Sequence, residues 1–258
     1  MISINEIKKY YPAGVVGFDR GILREYLQYK ILDIIFRQKI SSKLAFLGGT
    51  AIKICYGSAR FSEDLDFDNF GLTPKEFIEL SATIKTELEL EGYIIEIRNV
   101  FKGAFHCYIK IPRILQANDL AVDVEEKILI QIDTVPHDFT YEPQNYLLQK
   151  FDVFRNIKIT PVDIILSMKV AAIFGRKRMK GRDFYDLVYL LGLGDFNYEY
   201  LSFKLGIKNK EHLKNKLLES IVDLDMSIMA KDVLPFLLKK DDQERVLSFR
   251  EYIAQKLK

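Results

Sequence analysis

Cysteines, histidines and long apolar runs are scarce in this chain, and each scarcity closes a class of function. Of its 258 residues only two are cysteine and three are histidine. Cys55 and Cys107 stand at neither a redox nor a metal-ligand spacing, so no disulfide framework is expected and both read as buried small side chains. His106 and His137 have no neighbour at a metal-binding spacing and read as satisfied structural histidines. No stretch approaches the roughly 20 apolar residues of a membrane span, and the N-terminal residues lack the apolar core of a signal peptide. The expectation is a cytoplasmic protein without membrane contact. Gly-x-Ser-x-Gly, His-Glu-x-x-His and a Walker phosphate loop are also absent, which removes the common hydrolase, zinc-protease and P-loop readings. A net charge of only +2 gives no global sign of a nucleic-acid binder. It conceals an uneven distribution, because residues 151–186 hold eight Lys/Arg against four Asp/Glu. A basic segment is therefore present even though the total is near neutral. With 48% hydrophobic and 29% charged residues, the chain has the composition of a folded globular protein large enough for one large or two smaller domains.

What the chain does have is concentrated between Leu44 and Asn69. A short apolar run, Leu44 to Leu47, leads into Gly48-Gly49-Thr50 and then an amphipathic segment to Tyr56, which reads as strand, glycine turn and helix. Glycines let a backbone approach a ligand closely, and the unpaired amides at a helix start favour an anion, above all a phosphate. The chain then returns as Ser62-Glu63-Asp64-Leu65-Asp66-Phe67. Alternation along a strand puts Asp64 and Asp66 on one face and Leu65 and Phe67 in a core. Two carboxylates so placed lie about 7 Å apart and repel by roughly 2–3 kcal/mol at an effective dielectric near 20. Water on an exposed edge can screen that repulsion, or a hard divalent cation such as Mg²⁺ can use it. The Gly-Gly turn just upstream favours the second reading.

The remaining segments supply scaffold and further candidates. Residues 1–18 read as an irregular arm with a turn at Tyr11-Pro12-Ala13-Gly14, followed by a long, mostly buried helix from Asp19 to about Lys39. Thr73-Pro74-Lys75-Glu76 is a capping box with proline at the first helical position, opening a helix to about Leu90. Tyr93 to Val100 and Ala104 to Ile111 alternate about a Lys102-Gly103 turn, which predicts a hairpin. Glu126 to Thr134 predicts another strand, and Asp133 at its end is the candidate third carboxylate, as metal ligand or as base. Asp123 competes for that role but sits in a crowded acidic stretch. Residues 135–150 read as a loop joining two domains, 1–145 and 146–258. Beyond it, Thr160-Pro161-Val162-Asp163 starts a helix on which Lys169 lies close to the buried stripe. The cationic segment 176–182 lies between that helix and one opening with Asp183, and is suited to phosphate contacts. Asp183 and Asp186 also sit where a helix dipole favours acids. The C-terminal sixty residues read as a helical bundle, broken at Pro235.

Gly48-Gly49-Thr50-Ala51 and Arg60-Phe61-Ser62-Glu63-Asp64-Leu65-Asp66-Phe67 resemble the first motif of the AbiEii/AbiGii-type nucleotidyltransferase toxins. Lys169-Val170-Ala171-Ala172 and Arg182-Asp183-Phe184-Tyr185-Asp186-Leu187 are similar to later motifs of that family. The resemblance implies an α+β protein: a DNA polymerase β-like mixed sheet with flanking helices, plus a C-terminal helical domain closing a cleft. It further implies Mg²⁺ on Asp64 and Asp66, with Asp133 as third ligand, and a triphosphate on Gly48, Gly49 and Thr50 with Arg60 and Ser62 beside it. Lys169 would neutralise phosphate charge and Asp183 would act from its helix. The expected partners are an NTP, an RNA or tRNA acceptor on the basic segment, and a cognate antitoxin. A non-catalytic nucleotide- or RNA-binding module of the same fold is the alternative, and a small-molecule transferase a third.

Overall fold

The computed structural model describes residues 3–12, 15 and 17–258. The chain divides into two compact units: the first takes the chain up to Tyr56 and Phe61–Thr160, the second Gly57–Arg60 and Pro161–Lys258. The turn expected at Tyr11 to Gly14 lies in part outside the described residues.

In the first unit, α1 (Ile4–Lys8) is a short helix where an irregular arm was expected. Ser3 and Glu6 close a capping box around its start, and Ile4 and Ile7 are buried. The long helix α2 (Asp19–Arg37) buries the predicted stripe from Ile22 to Ile35. Strand β1 (Leu44–Leu47) passes directly into α3 (Gly48–Tyr56), and β2 (Leu65–Asn69) returns alongside. Helix α4 (Pro74–Leu90) begins as its sequence dictates, Thr73 accepting from the Glu76 amide while Glu76 reaches back to Thr73. The predicted hairpin is β3 (Glu96–Lys102) and β4 (Ala104–Pro112), and β5 (Lys127–Pro136) follows.

Two further strands, β6 (Gln144–Lys150) and β7 (Val153–Ile159), replace the predicted joining loop. Their alternation is obscured in the sequence. Phe154 faces solvent, Arg155 faces inward to pair with Asp33 at 2.8 Å, and only Leu148 of β6 is buried. The turn between them places Phe151 at φ 58°, held by Tyr10, Tyr26 and Tyr29 with ring centroids 4.9–5.3 Å away.

The seven strands form one mixed sheet in the order β3-β4-β5-β2-β1-β7-β6. β2 is antiparallel to β1 and parallel to β5, and β1 is parallel to β7. One face of the sheet presents Phe46, Phe67, Ile109, Ile130 and Ile132, all buried. That leaves the other face to the polar side chains of the same strands.

The second unit is helical: α5 (Val162–Gly175), α6 (Gly181–Leu190), α7 (Tyr198–Leu205), α8 (Lys210–Ser220), α9 (Met226–Val233), α10 (Glu244–Leu247) and α11 (Phe249–Lys256). Pro235 does break the helical run, in a single 3-10 turn after α9. The short segment 57–60 joins this unit through the Arg60–Leu237 bridge and the Leu238 amide on the Ala59 carbonyl. Among the described residues no helix is long and apolar enough to cross a membrane.

Candidate active site

The carboxylates of the first unit are set by the β1–α3 turn and by β2. Gly48 has φ +80°, and a Cβ there would overlap Asp66 Oδ2 and lie 2.7 Å from Asp66 Cγ. Glycine is thus required twice, by backbone conformation and by the close approach of a carboxylate to the turn. Leu65 and Phe67 are buried while Asp64 and Asp66 remain half-exposed, the alternation expected of this strand. Thr50 is buried and its hydroxyl donates to the Asp64 carbonyl, so it fixes the backbone bearing the acid. Gln28, inside the helix that reads as pure core, donates to the Ser62 and Glu63 carbonyls at 3.1 and 2.9 Å. Arg24 pairs with Glu63 at 2.8 Å. The acid-bearing segment is therefore held from α2 as well as from α3.

Asp133 lies beside Asp66 in the β2–β5 register. Its Oδ1 is 2.6 Å from His106 Nδ1, and Gln131 Nε2 donates to both carboxylate oxygens at 2.7 and 3.0 Å. Farther along β2, Asp68 is buried, 3.1 Å from His137 Nδ1, and accepts from Tyr141 Oη at 2.6 Å. Each histidine thus has its Nδ1 against an aspartate. His137 Nε2, however, is buried without a hydrogen-bond partner. Asp123, the competing candidate, is exposed and caps the Glu125 amide.

Among the described residues no three His, Cys, Asp or Glu side chains converge as a metal-binding group. The chemistry of the donors nevertheless suits Mg²⁺, because Asp66 and Asp133 on adjacent strands, and Asp64 just before β2, offer hard carboxylate oxygens. Cys107 is buried and burial pushes its thiol up to about 11, which removes it from consideration as a nucleophile near neutrality.

In the second unit the expected residues form a buried charge cluster. Asp183 and Asp186, three apart on α6, share a helix face and are 1% and 0% exposed. Arg60, 1% exposed, donates to both oxygens of Asp186 at 2.6 and 2.5 Å. Lys169 Nζ lies 2.8 Å from Asp186 and 3.3 Å from Asp183. Arg176 Nε is 2.9 Å from Asp183 Oδ2, without the alignment of a hydrogen bond. Burial alone would raise the Asp186 carboxyl, but the Arg60 and Lys169 charges outweigh it and hold the group below its ordinary value. Arg60, expected beside the nucleotide, pairs with Asp186. Both acids of α6 are buried.

The basic segment 176–182 leaves Lys177 and Arg178 exposed. Lys180 is held below the usual lysine range by the charge of Arg182 and then by burial. Gly181 ends the segment against α9: a Cβ there would overlap the Met229 carbonyl oxygen, and its amide donates to Asp232 at 2.8 Å.

A glycine turn between strand and helix, with an acid-bearing strand paired beside it, lies at the centre of this fold, which solved structures similar to the chain share. One is JHP933 from Helicobacter pylori, at 19% identity and TM-score 0.53, covering 92% of this chain and 93% of that one. Another is an H. pylori protein assigned as a nucleotidyltransferase, at 20% identity and TM-score 0.55, covering 92% and 96%. The chain belongs to the AbiEii nucleotidyl transferase toxin family of type IV toxin–antitoxin systems, whose model matches residues 30–255. No curated protein matches it.

Proposed function

We propose that this protein transfers a nucleoside monophosphate from an NTP to an RNA acceptor, tRNA among the candidates, and that the transfer arrests growth unless a cognate antitoxin opposes it. The observation that carries this reading is the packing of Asp66 against the positive-φ Gly48. It joins the glycine turn and the acid-bearing strand β2 closely. In the proposal the Gly48 and Gly49 backbone at the start of α3 receives the phosphates, where a helix N-terminus favours negative charge, with Ser62 bordering the acid pair. Thr50 and Gln28 hold the Asp64 segment in place. Mg²⁺, held by Asp64 and Asp66 with Asp133 as third carboxylate, would neutralise charge on the phosphate oxygens. Asp133, oriented by His106 and Gln131, is the group for the proton of the attacking hydroxyl. The second unit has cations of its own suited to phosphate: Lys169, held by Asp183 and Asp186, and the basic segment 176–182. Phosphoryl transfer needs mainly positioning and charge neutralisation, which these residue types provide.

The test is incubation of purified protein with each labelled NTP, Mg²⁺ and total RNA. Label should enter RNA, and Asp64→Asn or Asp66→Asn should lower incorporation by about 10³-fold, several kcal/mol of barrier. Absence of labelled RNA, together with growth arrest unchanged in both variants, would favour the non-catalytic binding module.

A further inference from the structure

Outward from Asp66 the sheet continues through β5, β4 and β3, and the strand registers align its polar face in rows. The row of Asp66 continues through Asp133 and His106 to Val100. The adjacent row, on the Asp64 side, runs through Gln131 and Tyr108 to Arg98. Lys110 stands one row farther on. The reverse face of these strands buries Cys107, Ile109, Ile130 and Ile132, so the polar face is the one left for a ligand. His106, Tyr108 and Lys110 are half-exposed there, and Arg98 is exposed.

Three features of this face select its ligand. His106 and Tyr108 are two apart on one strand, their rings 6.5 Å between centroids and tilted by only 31°. They therefore present neighbouring π surfaces, and Asp133 fixes the first of them. The charge is cationic: Arg98, Lys102, Lys110 and Lys127 face one acid, Glu96, which Lys127 itself approaches at 3.7 Å, apart from Asp133 at the site. The span is also suitable, because strands lie about 4.8 Å apart, so β3 is roughly 14 Å from β2. Stacked nucleotides advance about 3.4 Å each, so that distance accommodates roughly four. Flat aromatic surfaces flanked by cations on an open sheet are the chemistry that binds unpaired bases and their phosphates.

We propose that the polar face of β3–β5 binds the single-stranded 3′ end of the RNA acceptor. Tyr108 and His106 stack its bases, Arg98 and Lys110 contact its phosphates, and its terminal hydroxyl is directed along the row that ends at Asp133 and Asp66. This inference rests on the RNA-transfer reading above. It assigns the acceptor's contacts to residues which that reading leaves without a ligand.

Binding of a 5′-fluorescent single-stranded RNA oligonucleotide, followed by anisotropy at two salt concentrations, tests it. Tyr108→Ala should weaken binding by about tenfold, and Tyr108→Phe should restore it. Arg98→Ala should weaken binding and flatten its salt dependence. Leu90→Ala, at a position 82% exposed on α4, should change nothing. An RNA with a photoreactive 3′-terminal base should crosslink within residues 104–112. Crosslinks elsewhere, with Tyr108→Ala and Arg98→Ala binding within twofold of the parent, overturn the assignment while labelling of RNA by the parent leaves the transfer reading intact. If the parent binds NTP yet neither binds nor labels RNA, the acceptor reading fails and this inference falls with it.

Discussion

The two units hold acids in opposite ways. Asp64, Asp66 and Asp133 are half-exposed; Asp66 packs on the Gly48 turn, and His106 and Gln131 lie against Asp133. Asp183 and Asp186 are fully buried, and Arg60, Lys169 and Arg176 lie against them. A buried carboxylate is tolerable only when cations compensate its lost hydration, and compensation commits it to the fold. Asp66 instead packs against a turn that excludes a Cβ while keeping part of its surface in solvent, which is what a ligand site requires. On the proposed function, the same residue type serves reaction in one place and architecture in the other.

Substitutions should separate these roles. The largest effect on stability is expected from Asp186→Ala, which leaves the buried Arg60 and the partly buried Lys169 without their shared partner. Breaking such a pair costs about 3–5 kcal/mol, and at about 2–4 °C per kcal/mol the melting temperature should fall by roughly 10 °C. A change under about 2 °C would show that the cluster contributes little to folding. Next comes Gly48→Ala. The positive φ costs about 1–2 kcal/mol, and the methyl group must displace the Asp66 carboxylate. A displacement near 1 Å lowers rate by about 10²-fold, so RNA labelling should fall far more than stability does; equal small losses in both would deny the turn its role.

A smaller effect is expected from pH. The Asp186 carboxyl is lowered in the folded protein relative to its ordinary 3.8. Its contribution to stability is therefore complete above 3.8 and lost as pH falls through the folded value, where the unfolded chain already binds the proton. Urea unfolding between pH 5 and 3 should show a decline below 3.8 that Asp186→Asn flattens. An identical decline in that variant would assign the acid sensitivity elsewhere.

Much of this was legible in the sequence, for identifiable reasons. Helix α2, the β1–α3–β2 passage, the Thr73 capping box and the Ile128-Ile130-Ile132 face of β5 are local patterns, and the structure keeps each of them. The β6–β7 hairpin was hidden because its solvent-facing Phe154 and inward Arg155 invert the usual pattern. The partners of the candidate residues were hidden by distance along the chain. His106 and Asp133 are 27 residues apart, Gln28 and Ser62 34 apart, and Arg60 and Asp186 126 apart. One signal was available: a histidine and an aspartate on facing strands of a predicted sheet are candidates for a pair once strand order is considered. Without the order β4-β5-β2, which places His106, Asp133 and Asp66 in one row, the sequence could not choose it.

The most direct test of the contrast measures two quantities on two variants. RNA labelling and melting temperature should be determined together for Asp66→Asn and Asp186→Asn. Asp66→Asn is expected to lose about 10³-fold in labelling with a melting temperature within about 2 °C of the parent, whereas Asp186→Asn should melt well below it. If Asp66→Asn labels RNA as the parent does, or if it is the less stable of the two, the half-exposed acids are not the reactive ones and the account is contradicted.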